Sequence, residues 1–262
     1  MNRVTTAVVL LAIFMPALFF APAFLWALLI AVVAAAAAYE WARISAFPAF
    51  LPLMYGVGMG VMSLIVYLMP GQPQAVLALY ALAAVFWVLV APLWLAGRWH
   101  GEGFFVRALV GTLVILPTWA AIVSLRKDSP WLLLGVMALV WIADSAAYFA
   151  GRRFGRHKLA PEISPGKSWE GVIGAGVALV LYASAISAAI QGLRIPGALF
   201  LAVALLYFSI LGDLFESWMK RLAGVKDSGT LLPGHGGVLD RIDALCAALP
   251  IAAGILHFAH WA

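Results

Sequence analysis

The chain has 262 residues, of which 65% are hydrophobic and only 10% charged, with a mean hydropathy of +1.04. Soluble domains run at about 45–50% apolar and about 25% charged, so this composition excludes a water-soluble globular enzyme, a disordered chain and a secreted disulfide scaffold. A single cysteine, Cys246, leaves no internal disulfide and no cysteine-based zinc site, and the net charge of +5, from 16 Lys+Arg against 11 Asp+Glu, points in so apolar a chain to lipid headgroups, phosphates and membrane topology rather than to nucleic acid.

A helix crosses a bilayer with roughly 20 apolar residues. Nine segments qualify: about 4–20, 23–39, 50–69, 74–96, 104–124, 131–150, 171–190, 197–218 and 243–261. The expected fold is therefore all-α, a polytopic transmembrane bundle. The first segment has Arg3 before it and Ala21-Pro22-Ala23 after it, as a secretory signal does. The second span follows at once with no polar domain to export, so the first reads as an uncleaved span. With the N-terminus inside, only Arg126, Lys127 and Arg194 of the 16 basic residues fall outside, as the positive-inside rule demands.

Residues 1–130 form a nearly featureless scaffold of spans and short loops. The alanine run Ala34 to Ala38 suits close helix packing, and Gly56-x-x-x-Gly60 reads as ordinary packing inside one bundle rather than a dimer face. Residues 131–262 belong to the same integral domain and carry the catalytic region, with inside loops at 151–170 and 219–242. There is no fixed-period repeat and no inverted pair of broken helices.

The unusual polar chemistry lies in 143–171 and 212–243. Asp144, Asp213 and Glu216 sit in or beside apolar runs, where a charge costs roughly 2.5–3.5 kcal/mol even on the lenient insertion scale. Each needs a partner, an ion or a water-filled cavity. In the second loop Lys220, Arg221, Lys226 and Arg241 suit phosphate oxygens. Gly234, Gly236 and Gly237 let backbone N–H groups approach an anion. Asp213, Asp227, Asp240 and Asp243 are hard oxygen ligands suited to Mg²⁺, and His235 can donate a hydrogen bond or act as a base. In the first loop Gly166-Lys167-Ser168 is not a Walker A motif, because its first glycine would fall at Pro161 and a membrane helix precedes it. Ser168 and Glu170 open the next helix, where backbone N–H groups can cradle an anion.

Ser217-x-x-Lys220-Arg221, Lys226-Asp227 and His235-Gly236-Gly237-Val238-x-Asp240-Arg241-x-Asp243 together resemble the signature of the phosphatidate cytidylyltransferases, also called CDP-diacylglycerol synthases. The segments Asp144-Ser145-x-Ala147-Tyr148 and Ser164-Pro165-Gly166-Lys167-Ser168 are similar to a second region of that family. Two positions depart from the pattern: Ala146 stands where glycine is common, which narrows the space beside Asp144, and Ser168 where threonine is common, which keeps the hydroxyl. The resemblance implies transfer of CMP from CTP to phosphatidate, a need for Mg²⁺, a place in the bacterial inner membrane and a homodimer. It carries the family's paired metal aspartates to Asp213 and Asp240, with Asp144 a further metal candidate. Lys167 and Lys220 join the aspartates as catalytic candidates. Ser164, Ser168, Ser217, Arg221, Lys226, Asp227, His235, Gly236, Gly237 and Arg241 become candidates for substrate binding.

That chemistry agrees with the residues. A phosphate nucleophile is already ionised near neutral pH, so the difficulty lies in bringing two polyanions together, which a divalent metal and Lys/Arg groups relieve. Two competing readings are a cytidylyltransferase acting on another lipid phosphate and a transporter of an anionic solute. The clustering of acids on one membrane side speaks against the second.

Overall fold

All nine apolar segments are helical in the computed structural model, which describes residues 3–101, 103–189, 194–232, 234 and 236–259. In a bilayer every backbone N–H and C=O must be satisfied internally, and a helix does this within one segment. The order is α1 (Arg3–Phe20), α2 (Ala23–Ile44), α3 (Leu51–Leu68), α4 (Gln72–Val85), a π-helical turn (Phe86–Val90), α5 (Ala91–Ala96), α6 (Phe104–Asp128), α7 (Pro130–Phe154), β1 (Lys158–Ala160), β2 (Ser164–Ser168), α8 (Trp169–Ala189), α9 (Ile195–Leu222) and α10 (Leu239–Ala259). The protein is a multi-pass membrane protein. Among the described residues seven helices are long and apolar enough to cross a membrane, α4, the π turn and α5 counting as one rod. The two other expected spans, α1 and α10, are helical but fall outside that seven. The long apolar run of α1 is only Val8–Phe20, and α10 opens with Asp240, Arg241 and Asp243.

Helix ends depart from the hydropathy boundaries in a consistent way. Helix α7 continues four residues past the expected 150, α9 runs to Leu222 and α10 begins at Leu239. Charged residues expected in loops, Arg152, Arg153, Lys220, Arg221 and Asp240, therefore stand on helix termini. Acids in a first turn and bases in a last turn suit the helix dipole, so the helices extend into their charged flanks. The expected loop 151–170 also holds the antiparallel hairpin β1–β2, pairing Lys158 with Ser168 and Ala160 with Ser164. No hydropathy signal marks so short a strand pair.

Packing follows the small residues. A Cβ at Gly56 would sit 2.7 Å from the Ala35 carbonyl of α2, and one at Gly60 3.3 Å from the Ala35 side chain. The glycine pair of α3 thus serves packing within one chain. Helix α10 packs against α9, α6, α4, α7 and α2, burying Ala244 through Leu249 and Ile251 through Ala253. At Gly212 a Cβ would lie 2.6 Å from the Asp243 carbonyl, so α9 and α10 cross in close contact where both carry acids. Large apolar side chains such as Leu53, Val57 and Ile65 on α3, and Ile173, Val177 and Leu181 on α8, face outward, as lipid contact requires.

Arg126 and Lys127, expected in an outside loop, lie in the last turn of α6, with only Ser129 separating α6 from α7. Arg126 donates to the carbonyls of Leu18, at 3.0 Å, and Ala21 at the end of α1. Its guanidinium also stands 5.3 Å from the centre of the Trp26 ring. Those carbonyls lack helical partners, so the charge is spent on closing the end of α1.

Candidate functional site

The site is built on one face of α9. Asp213, Glu216, Ser217 and Lys220 recur at i, i+3, i+4 and i+7, the spacing that aligns side chains along a helix. Beneath them Phe215 is fully buried. It stacks on Trp41 with ring centres 6.3 Å apart and meets Phe86, Trp87 and Trp94 edge-on at 5.4, 5.6 and 5.9 Å. Of the charges on this face, Glu216 and Lys220 are nearly buried, where each needs a partner.

Lys220 finds two. Its ammonium donates to Asp240 Oδ1 at 2.7 Å and forms an ion pair with Glu216 Oε1 at 3.1 Å. All three side chains are nearly buried, with 11% of Lys220, 5% of Glu216 and 6% of Asp240 exposed. Asp240 is also the clasp of the signature loop. Its Oδ2 accepts from the backbone N–H of Ser228 at 2.9 Å and of Gly237 at 2.8 Å. Gly236 fits beside it because its φ is +81° and a Cβ would lie 2.8 Å from Asp240 Oδ2.

A second pair lies earlier on α9, at Asp213. Lys167, on β2, reaches Asp213 Oδ2 at 2.8 Å, and Ser217 donates to Asp213 Oδ1 at 3.2 Å. Asp144, exposed on α7, is close enough for its charge to interact with those of Asp213 and Lys167. Asp243, one turn after Asp240, interacts with Asp213, Asp144 and Lys220. The fold thus brings together Asp144, Lys167, Asp213, Ser217, Lys220 and Asp240 from four elements far apart in sequence.

Other expected residues stand aside from this cluster. Ser168 is buried and accepts the Gly171 N–H at 3.2 Å, capping α8. Ser164 pairs with Ala160 in the hairpin. Arg221 donates to the Ile163 carbonyl at 3.3 Å and so ties α9 to the hairpin. Lys226 and Asp227 are exposed and line an open cavity of about 440 Å³ with Arg43, Ser228, Gly229 and Thr230. Arg241 is exposed on the first turn of α10, and Gly237 is buried. His235 lies outside the described residues.

The donor set suits Mg²⁺ in an open site. Five carboxylates (Asp144, Asp213, Glu216, Asp240 and Asp243) stand near two lysines, more acids than the lysines can pair. A carboxylate offers roughly four lone-pair positions. Asp213 and Asp240 spend two and three of them on the partners above, leaving capacity on each. Among the described residues no three His, Cys, Asp or Glu side chains are grouped so as to hold a metal ion by themselves. Mg²⁺ is commonly held by one or two carboxylates, with waters and substrate phosphates completing the shell.

Sequence reasoning passed over one residue of this region, Glu40. It lies on α2 in the half read as featureless, 1% exposed. Its carboxylate accepts the Leu239 N–H at 2.8 Å and the Ser228 hydroxyl at 3.2 Å. The signal was present: an acid after an apolar alanine run carries the same burial cost as Asp144 or Asp213.

Comparison with known proteins adds to this geometry. The profile of the cytidylyltransferase family matches residues 1–259. The phosphatidate cytidylyltransferase of Pseudomonas aeruginosa is 43% identical over 99% of this chain and 98% of its own length. That of Haemophilus influenzae is 39% identical over 98% of each chain. The Bacillus subtilis protein of the same name is 46% identical across 114 aligned residues, covering 43% of this chain and 42% of its own.

Proposed function

The chain belongs to the cytidylyltransferase family and is a nucleotidyltransferase of the membrane, and on that premise we propose that it transfers CMP from CTP to phosphatidate, forming CDP-diacylglycerol and pyrophosphate. One observation carries the reading. Asp144, Lys167, Lys220 and Asp240, which match the family's motifs, cluster with Asp213 where α7, β2, α9 and α10 converge. Such a cluster suits a reaction between two phosphates.

In this mechanism the attacking phosphate oxygen of phosphatidate is already ionised, so no side chain has to act as a strong base. Lys167 and Lys220 neutralise phosphate charge as the two anions approach. Their carboxylate partners hold the ammonium groups in place beforehand, which removes reorganisation at the moment of reaction. Mg²⁺, when bound at Asp213 and Asp240 with Asp144 nearby, supplies charge neutralisation and alignment for in-line attack on the α-phosphorus of CTP. The aromatic cluster around Phe215 backs the buried side of Lys220 and Glu216 and holds α9 in place there. The cavity beside Arg43 and Lys226 falls in the range of roughly 300–1,000 Å³ typical of small-ligand sites and gives the nucleotide phosphates an approach from the polar side. The outward apolar faces of the helices leave the acyl chains in the bilayer.

We place the site on the cytoplasmic side of a bacterial inner membrane, where CTP is available, with the protein working as a homodimer. Purified protein in detergent is given α-labelled CTP, phosphatidate and Mg²⁺, and label entering the lipid phase is counted with and without chelator. Label that appears in lipid and vanishes with chelator supports the reading. Folded protein that transfers none refutes it, and chelator-resistant transfer refutes the metal assignment alone.

A further inference from the structure

Glu40 holds a place that neither the signature nor the resemblance assigns. Its buried carboxylate sits at the N-terminus of α10, where Leu239 has a free N–H. A negative charge is favourable there. The same Oε2 atom accepts from Leu239, 199 positions away, and from Ser228, 188 positions away. These two residues bracket the signature loop.

Ser228 is the connector. Its hydroxyl donates to Glu40 while its backbone N–H donates to Asp240 Oδ2 at 2.9 Å. Two carboxylates from opposite halves of the chain therefore grip one residue, and only two hydrogen bonds separate Glu40 from Asp240. The fit leaves no slack: a Cβ at Gly229 or at Gly237 would collide with the Glu40 carboxylate. Glu40 Oε1 is buried and meets no hydrogen-bond donor among the described residues. A buried charge is a poor way to gain stability, since apolar residues of similar volume commonly do as well. Its placement against both ends of one loop makes sense as orientation of that loop.

We propose that Glu40 is a positioning residue for nucleotidyl transfer, setting the orientation of Asp240 through Ser228 and the first turn of α10. The inference rests on the function proposed above. Its test uses full-length Glu40→Ala, Glu40→Gln, Ser228→Ala and the Glu40→Ala/Ser228→Ala double variant. Turnover, KM for both substrates, thermal midpoint and amide exchange of 228–239 without substrates are measured for each. Losing a hydrogen bond to a charged group should lower kcat by about tenfold in Ser228→Ala, and by more in Glu40→Ala, with KM within about twofold. Glu40→Gln keeps an acceptor oxygen and should recover most of the rate. The double variant should be no slower than Glu40→Ala, because both changes cut one connection. Exchange of the loop amides should rise in Ser228→Ala while the thermal midpoint holds.

Wild-type kcat in Ser228→Ala overturns the inference, and this variant alone decides the matter if Glu40→Ala does not fold. Independent, multiplying losses in the double variant also overturn it, as does a rate loss matched by a lowered midpoint in Ser228→Ala. Wild-type protein that transfers no label removes the proposed function and this inference together. Active wild type with an unaffected Ser228→Ala removes the inference alone.

Discussion

Arg126 and Lys220, near opposite ends of the bundle, have opposite kinds of partner, whereas Arg107 at the near end, like Arg126, goes to backbone carbonyls, those of Gly101 and Ser45. Arg107 and Arg126 lie on α6, roughly 28 Å apart along the helix at 1.5 Å per residue. At the far end Arg126 forms no ion pair among the described residues: it is spent on the last carbonyls of α1 and the Trp26 ring. At the near end the Arg107 carbonyl accepts from Trp41, whose ring stacks on Phe215 below the Lys220 cluster. There a lysine is held by two acids, one of them, Glu216, with an oxygen that meets no hydrogen-bond donor among the described residues. The first arrangement closes its account within the backbone. The second leaves carboxylates in excess, which serves stability poorly and is in keeping with the metal and phosphate binding proposed above. Burial of charge alone does not mark function; what counts is whether the partners are complete.

The comparison breaks first at the aspartates. Asp213→Asn and Asp240→Asn should each cut turnover by at least about a hundredfold while the protein still elutes as a folded species in detergent. Near wild-type rates in either variant would return that end of the molecule to a structural role. Lys220→Ala comes next, since it strands two nearly buried carboxylates. It should cost about 3–5 kcal/mol of stability together with activity, read from thermal unfolding in detergent. Arg126→Gln sharpens the contrast from the other side. It should lower stability by about 1–3 kcal/mol through lost bonds to the α1 carbonyls, yet leave kcat and KM unchanged. A catalytic loss there would erase the distinction between the two ends. The smallest effect belongs to exposed Lys226: Lys226→Ala should raise KM for CTP by about two- to fivefold with kcat held, as expected of a solvent-screened charge.

Glu40 shows where reading along the chain stops short. Its neighbours in sequence are alanines, a tyrosine and Trp41, which signal a burial cost but not the groups that meet it. Its partners stand almost two hundred positions away. Lys220 and Asp240 were both named from the motif, but not as partners of one another, and Lys220 was read as a phosphate ligand without the two carboxylates that hold it. Ser168 was named as a substrate contact, whereas its hydroxyl caps α8.

The sequence by itself determined the class of the molecule, because twenty-residue apolar runs have one stable form in a bilayer. It also determined the family, because the signature residues lie close together along the chain, and the common face of Asp213, Glu216, Ser217 and Lys220, because helical period is local. The tertiary structure decided which helix faces turn inward. In a membrane both the lipid side and the packed side are apolar, so hydropathy carries no orientation. It also decided where helices end, since Lys220 and Asp240 prolong α9 and α10 by pairing across the gap between them. Long-range pairing of charges depends on how the bundle closes, and that closure brought Glu40 of the second helix to the first turn of the last.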